Sequence, residues 1–421
     1  MNRIIYIFIA VILLIPFVLN AQEKEEINFL YMAQSGYQPP EIQEQASLFY
    51  KQTGIKVNIS FPGYEDRHNI LLNDFKEKTS YYDVVLVDLI WIKEFINSGY
   101  LEAVPDYLDK KIKNGIVPEI YSAFSDNGKL WAFPFHADFQ LLYVNRNLLI
   151  ESGFHYPPAT LEEAAAMAES AKKAGLLKYP LFDSWKKEEA LICEFTWLTG
   201  AFGGTLTDGS GNINLLTPAP LKALDFMVML LEKGLMNPFS LQADELLTAD
   251  VFISGDALFT TNWTFQGDLL SKRSKTVNFS WLPALIPVSA ELSAAESINT
   301  VSVSGYEGLS VPVFSKHKKS AWNFIDFLAG PSFQYAHLNY LPVWEYLWKK
   351  EKIKSEDPYI SLKELQLKGV ISRPSLPDYI QVSKILQKWI YKALNMDISP
   401  AAALENAQRE IDAVTERRSF K

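Results

Sequence analysis

Asn127-Gly128-Lys129-Leu130-Trp131-Ala132-Phe133-Pro134-Phe135-His136-Ala137-Asp138-Phe139-Gln140-Leu141-Leu142-Tyr143-Val144-Asn145-Arg146-Asn147 is the stretch on which the reading of this chain turns. Asn127-Gly128 is a turn dipeptide, and Leu130 to Phe133 is a short apolar run halted by Pro134. Gln140 to Val144 is a second run, with the Leu, Tyr and Val content of a strand. Between the runs, His136, Ala137 and Asp138 interrupt a segment that otherwise has the composition of a buried one. A carboxylate held between two strands is either solvated where the chain crosses between lobes or paired with another group. The pattern predicts a hinge that presents Asp138 to a cleft.

Working outward, Ile27 to Met32 and Ile55 to Ser60 read as strands, joined by a helix that opens at Pro39-Pro40 and ends at Thr53-Gly54. This βαβ unit places its loops at the carboxyl ends of parallel strands, where such sheets bind ligands. Gln34, Ser35 and Tyr37 are therefore candidates, against the plainer alternative of a solvated loop. A helix near Asp66 to Lys78 leads to the buried strand Asp83 to Val87. Asp88 stands just past its end, with Trp91 one turn on; Asp88 as a helix cap and Trp91 as packing is the competing account. In the other direction, Thr160-Leu161-Glu162-Glu163 is a capping box opening an Ala-rich helix. Lys178 to Phe182 reads as a strand followed by Asp183 and Trp185, the same arrangement as Asp88 and Trp91.

These stretches resemble, in order and spacing, the bacterial extracellular solute-binding proteins of sugar ABC importers, the maltose-binding-protein-like family. The resemblance is carried by Gly128 to Pro134 with Leu141 to Leu148, and by Thr53 to Val57, Tyr82 to Val85 and Ser98 to Leu101. Phe202 to Leu206, Phe252 to Trp263 and Ala403 to Gln408 complete it, so it covers nearly the whole chain after the leader. It implies a periplasmic-binding-protein type II-like fold, two α/β lobes joined by a multi-crossing hinge. The lobes are expected at 27–137 plus 284–329 and at 138–283 plus 330–421, with the second crossover at Val277 to Pro283. It also implies that Asp88 and Trp91 border the ligand and that Trp263 is the aromatic platform for a sugar ring. Relatives often carry two adjacent glycines where this chain has Ser304-Gly305-Tyr306-Glu307, so Tyr306 and Glu307 are expected to contact the ligand instead. Loops bearing Trp344 and Arg373 complete the candidates, and Ser289 to Ser304 reads as an exposed, mobile loop.

Composition bounds the rest. The formal charge of −9 argues against a nucleic-acid partner, which calls for a basic footprint. Residues 1–21 have the Arg3 n-region, apolar core and small Ala21 of a signal peptide. No Cys directly follows that segment, so an exported protein without a lipid anchor is expected. The single Cys193 reads as a packed small hydrophobe. The five His residues form no metal-ligand pair, and Gly-x-Ser-x-Gly is absent. No cofactor or metal is therefore expected. Paired acids such as Asp88, Asp138 and Asp183 would serve a secreted glycoside-active enzyme, and a sensory or adhesion module without a transporter is a third class. The expected function is capture of a mono- or oligosaccharide by a monomer that delivers it to an ABC importer permease, without turnover.

Overall fold

The computed structural model describes residues 25–33, 39–296, 299–337 and 341–419. Strands Glu26–Leu30, Lys56–Ser60 and Val84–Asp88 lie parallel with the first in the middle, and helices Pro39–Thr53 and Tyr64–Lys76 make the crossovers. Val84 to Val87 are all buried, as an unbroken apolar strand must be when both sheet faces are covered. Helix Leu161–Lys173 starts as its sequence prescribes: Thr160 Oγ1 accepts from the Glu163 amide at 3.2 Å, and the Glu163 carboxylate accepts from the Ala159 amide at 2.8 Å.

Phe133–Asn145 is one strand of 13 residues rather than two short ones. As far as Phe139 it pairs antiparallel with strand Ser302–Ser310; from Gln140 it pairs with Phe259–Trp263, and from Leu142 with Trp281–Ala284. It thus passes from one half of the molecule into the other without leaving the sheet. Pro134, which has no amide to donate, is accommodated by an irregularity in register between Pro134 and His136. Strand Ser302–Ser310 makes the second crossing: it pairs with Phe133–Asn145 and, at its far end, antiparallel with Val84–Asp88. Residues 281–284, expected at that crossover, instead edge the sheet of the second half.

Two apolar cores flank this seam, the first reaching past it to Tyr143, Phe252 and Leu270. One is built on Phe29, Phe49, Val85, Phe95 and Phe324, with Phe49 and Phe324 in edge contact at 5.1 Å between centroids. The other gathers Leu191, Phe195, Leu224, Met227, Leu386 and Leu404. Ala284, Ile286, Val288 and Leu292, expected with the first lobe, pack in the second core. Phe333, Val343, Trp344 and Trp348, expected with the second lobe, pack in the first. The stretch read as a mobile loop forms helix Ala290–Glu296 and the start of strand Ser302–Ser310. The run Lys178 to Phe182 forms no strand: only Leu181 bridges, to Met236 and Phe259.

Where the crossing strands run together, Gly308 faces Pro134, and a Cβ there would lie 2.7 Å from Ala132 Cβ and 3.1 Å from the Phe133 carbonyl oxygen. Neither neighbour is a flexible side-chain end, so Gly308→Ala should cost about 1–3 kcal/mol of stability through overpacking. Equilibrium denaturant unfolding reads this directly, and an unshifted midpoint would show that the strands do not approach so closely.

Candidate functional site

Between the two cores lies a cavity of about 380 Å³, within the range of small-molecule sites. Tyr64, Asp88 and Glu307 border it from the first half, Glu189, Glu245 and Trp263 from the second, and Asp138 and Gly305 from the paired crossing strands. The alternation of side chains along a strand decides who faces it. On Ser302–Ser310, Gly305 and Glu307 line the cavity, while Tyr306 between them is 2% exposed and turned into the core.

Trp263 ends strand Phe259–Trp263 opposite Gln140. Its indole lies against Gly305: a Cβ there would stand 2.7 Å from Trp263 Cζ3. The missing side chain is what lets the ring lie along the crossing strand. Trp263 Nε1 donates to Glu245 Oε1 at 3.3 Å, which fixes the ring's edge. Beside it, Asp138 Oδ1 accepts from the Thr264 amide at 3.1 Å, Thr264 Oγ1 at 2.7 Å and its neighbour Phe139's amide at 2.9 Å. Burial pushes the Asp138 carboxyl up to about 6 despite those three bonds.

Arg373 spans the cavity wall. It is 3% exposed and donates from one nitrogen to Asp88 at 3.1 Å and from the other to Glu189 at 2.9 Å. Asp88 also accepts from Tyr64 Oη at 2.8 Å and caps the Ile90 amide at 3.1 Å. Glu189 accepts from Tyr379 Oη and Ser383 Oγ as well. Behind the wall, buried Arg67 pairs with Glu307 and lies 4.7 Å over the Trp91 ring, a cation–π geometry. One guanidinium thus ties a first-half carboxylate to a second-half one, while the other anchors Glu307.

The family profile of the bacterial extracellular solute-binding proteins matches residues 32–335, most of the chain. The chain belongs to this family. A probable ABC transporter-binding protein of Deinococcus radiodurans is 24% identical over 90% of this chain and 91% of its own length. Among solved structures, the maltose-bound MalE3 of T. maritima superposes with a TM-score of 0.83 at 23% identity, covering 92% of this chain and 99% of that one. An ABC transporter solute-binding protein of Thermotoga lettingae bound with α-D-tagatose gives a TM-score of 0.81 at 20% identity, over 93% and 99%. The two-lobed binding-protein fold follows from these likenesses.

In this solute-binding protein five of the residues singled out from sequence border the cavity together: Asp88, Asp138, Trp263, Glu307 and Arg373. Trp91 is 2% exposed and packs against His68 and Arg67 rather than the cavity. Trp344 donates Nε1 to the Ala329 carbonyl at 3.0 Å in the first core. Trp185 is buried in the second core, and Asp183 is held behind strand Phe259–Trp263 by the Thr261 amide at 2.6 Å. Both depart from the expected symmetry with Asp88 because no strand forms before them to carry them to the cleft. Gln34, Ser35 and Tyr37 lie outside the described residues. Tyr64, Glu189 and Glu245 were not singled out from sequence. The available signal was an acid in the first turn of a helix, at Glu189 and Glu245, where the helix dipole favours it.

Asp183 has a second partner. Thr261 Oγ1 lies 2.9 Å from Asp183 Oδ1 and 3.0 Å from Glu194 Oε2, and Glu194 also accepts from Gln140 Nε2 and Trp197 Nε1. A hydroxyl carries one proton, so it cannot donate to both acids, and one carboxyl must itself be protonated. Burial raises both acids, and the charge of Asp183 raises Glu194 further. The folded state therefore holds a proton that the unfolded chain releases above a pH of about 4, and stability should fall as pH rises from there through the folded titration. Infrared spectra near neutral pH should show a protonated-carboxyl stretch that disappears in Glu194→Gln, and the pH slope of Tm should flatten in the same variant. A wild-type spectrum with every carboxyl ionised would contradict this.

Proposed function

We propose that this solute-binding protein captures a carbohydrate between its lobes and hands it to the permease of an ABC importer. The observation that carries the reading is the indole of Trp263, seated on Gly305 and ringed by Asp138, Glu245 and Glu307 in the interlobe cavity. A sugar ring presents apolar C–H faces that stack on an indole, and its hydroxyls donate to carboxylates. Few other metabolites ask for both at once. The maltose, α-D-tagatose and ribitol bound by structural relatives belong to the same chemical class.

On this reading, the first lobe comprises about 25–137 with 305–349, and the second about 138–304 with 370–419. The paired strands at Asp138 and Gly305 are the hinge. Residues 1–21 act as an export signal, and the working form is a monomer outside the cytoplasmic membrane. Among the described residues no helix is long and apolar enough to cross a membrane. The protein binds its sugar without turning it over.

If the indole is the platform, Trp263→Ala should weaken sugar binding by about 1–3 kcal/mol, roughly five- to 150-fold in Kd. Gly305→Ala should act in the same direction by lifting the ring from its seat without removing the indole. Calorimetric titration against a carbohydrate panel, with Tm measured on the same samples, separates binding from folding. A large fall in Tm with unaltered affinity of the folded fraction would remove Trp263 from the site. Chromatography of the incubated sugars should show no product; conversion proportional to protein concentration would overturn the binding-only reading.

A further inference from the structure

The carboxylates around the cavity fall into two sets. Asp88 and Glu189 share Arg373, Glu307 pairs with Arg67, and Glu188 pairs with Lys186 at the rim. The other four lining acids, Asp66, Asp138, Asp244 and Glu245, make no ion pair with any described residue. Arg373 is the only basic side chain lining the cavity among the described residues, and it is already matched twice. The internal segments outside the description, 34–38, 297–298 and 338–340, contain no Lys, Arg or His, so none of them can supply the missing charge.

Three of the four unmatched acids are built into the second lobe or the hinge around the indole. Glu245 accepts from Trp263 Nε1, Asp244 Oδ1 caps the Leu247 amide at 2.9 Å, and Asp138 is bonded through Oδ1 to Thr264, the residue after Trp263. Asp138 and Asp244 each leave Oδ2 without a hydrogen-bond partner among the described residues. Burial is the largest influence on the carboxyls of Asp138 and Glu245 and raises both, outweighing the hydrogen bonds at each and the pull of Lys363 on Asp138. No described group of three or more His, Cys, Asp or Glu side chains converges as the ligands of a metal ion would. A solute seated in the cavity can bring positive charge to these acids.

We infer that the captured carbohydrate is basic, an amino sugar or an oligosaccharide with a free amine, whose ring lies on Trp263 while its ammonium meets an unmatched carboxylate beside the indole, Asp138 or Glu245. This rests on the carbohydrate reading above and narrows it. An ammonium donating to these carboxylates makes charge-assisted hydrogen bonds, the stronger kind, and an indole face beside it is favourable to a cation. A uronic acid entering the same cavity would bring a like charge against an uncompensated field and be rejected.

The test is calorimetric titration of the whole protein near neutral pH with matched sugars. Glucosamine is compared with glucose, N-acetylglucosamine and glucuronate; galactosamine is compared with its counterparts; and the glucosamine trimer is compared with its N-acetylated form and cellotriose. The free amine should bind at least about tenfold more tightly than its neutral partner. Added salt should shrink the advantage, and glucuronate should not bind. Asp138→Asn with Glu245→Gln should remove most of the preference, costing the amine more affinity than its neutral partner, with Tm confirming that the variant folds. A neutral sugar that binds as tightly as its amine, or more tightly, overturns the inference and leaves the carbohydrate reading standing. If no sugar in the panel binds, the carbohydrate reading fails and takes this one with it.

Discussion

The antiparallel pairing of Phe133–Asn145 with Ser302–Ser310 is the constraint on which everything else depends. Two strands that cross side by side and hydrogen-bond to each other give the lobes a shared axis, because bending them leaves the sheets on either side intact. The same pairing fixes the cleft chemistry. A strand's period of two sends Gly305 and Glu307 to one face and Tyr306 to the other, and places Asp138 opposite Gly305. A slip of one residue would exchange these faces, putting a buried tyrosine where the indole of Trp263 now rests. The many apolar side chains of both cores oppose such a slip, so packing far from the cavity holds its geometry.

Charge is distributed unevenly over this frame. The wall between the lobes is neutralised: Arg373 holds Asp88 and Glu189, and Arg67 holds Glu307. Buried pairs of this kind gain little net stability. Their contribution here is position, since they fix acceptors on both lobes at a set distance across the cavity. The floor around Trp263 is left acidic. A solute that touched both regions would bind a closed arrangement better than an open one, and that difference in affinity would move the population toward closure.

Much of the frame was legible in the sequence, and the failures have physical causes. Val84 to Val87 announce a doubly covered parallel strand without any tertiary information, and the Pro39-Pro40 and Thr53-Gly54 boundaries bracket the first helix within a residue. Phe133–Asn145 looked like two strands because Pro134 and the His136-Ala137-Asp138 trio break its pattern, and only pairing with Ser302–Ser310 shows that the backbone runs through. Asp88, Asp138 and Trp263 border the cavity from positions with a local or family signature, whereas Glu307 stood out only where the chain departs from the family pattern and Arg373 only as a loop residue. Asp183 and Trp185 were misplaced because an Asp and a Trp after an apolar run look alike whether or not the run becomes a strand. Trp344 went astray with its lobe: a tail of helices carries no mark of which core it joins, and the decision rests on a fit against Gly115, where a Cβ would come within 2.9 Å of the indole. Glu189 and Glu245 are ordinary first-turn acids until the fold brings their helices to one cleft.

On the proposed reading, the lobes rotate about the paired strands and close on a sugar. Small-angle scattering of the protein with and without a saturating carbohydrate, identified by titration, measures that motion in solution. The account predicts a smaller radius of gyration in the bound state, with the free and bound curves interconverting as sugar is added. A radius that stays the same at saturation would contradict it, since a cleft that binds without closing gives the permease no signal to read.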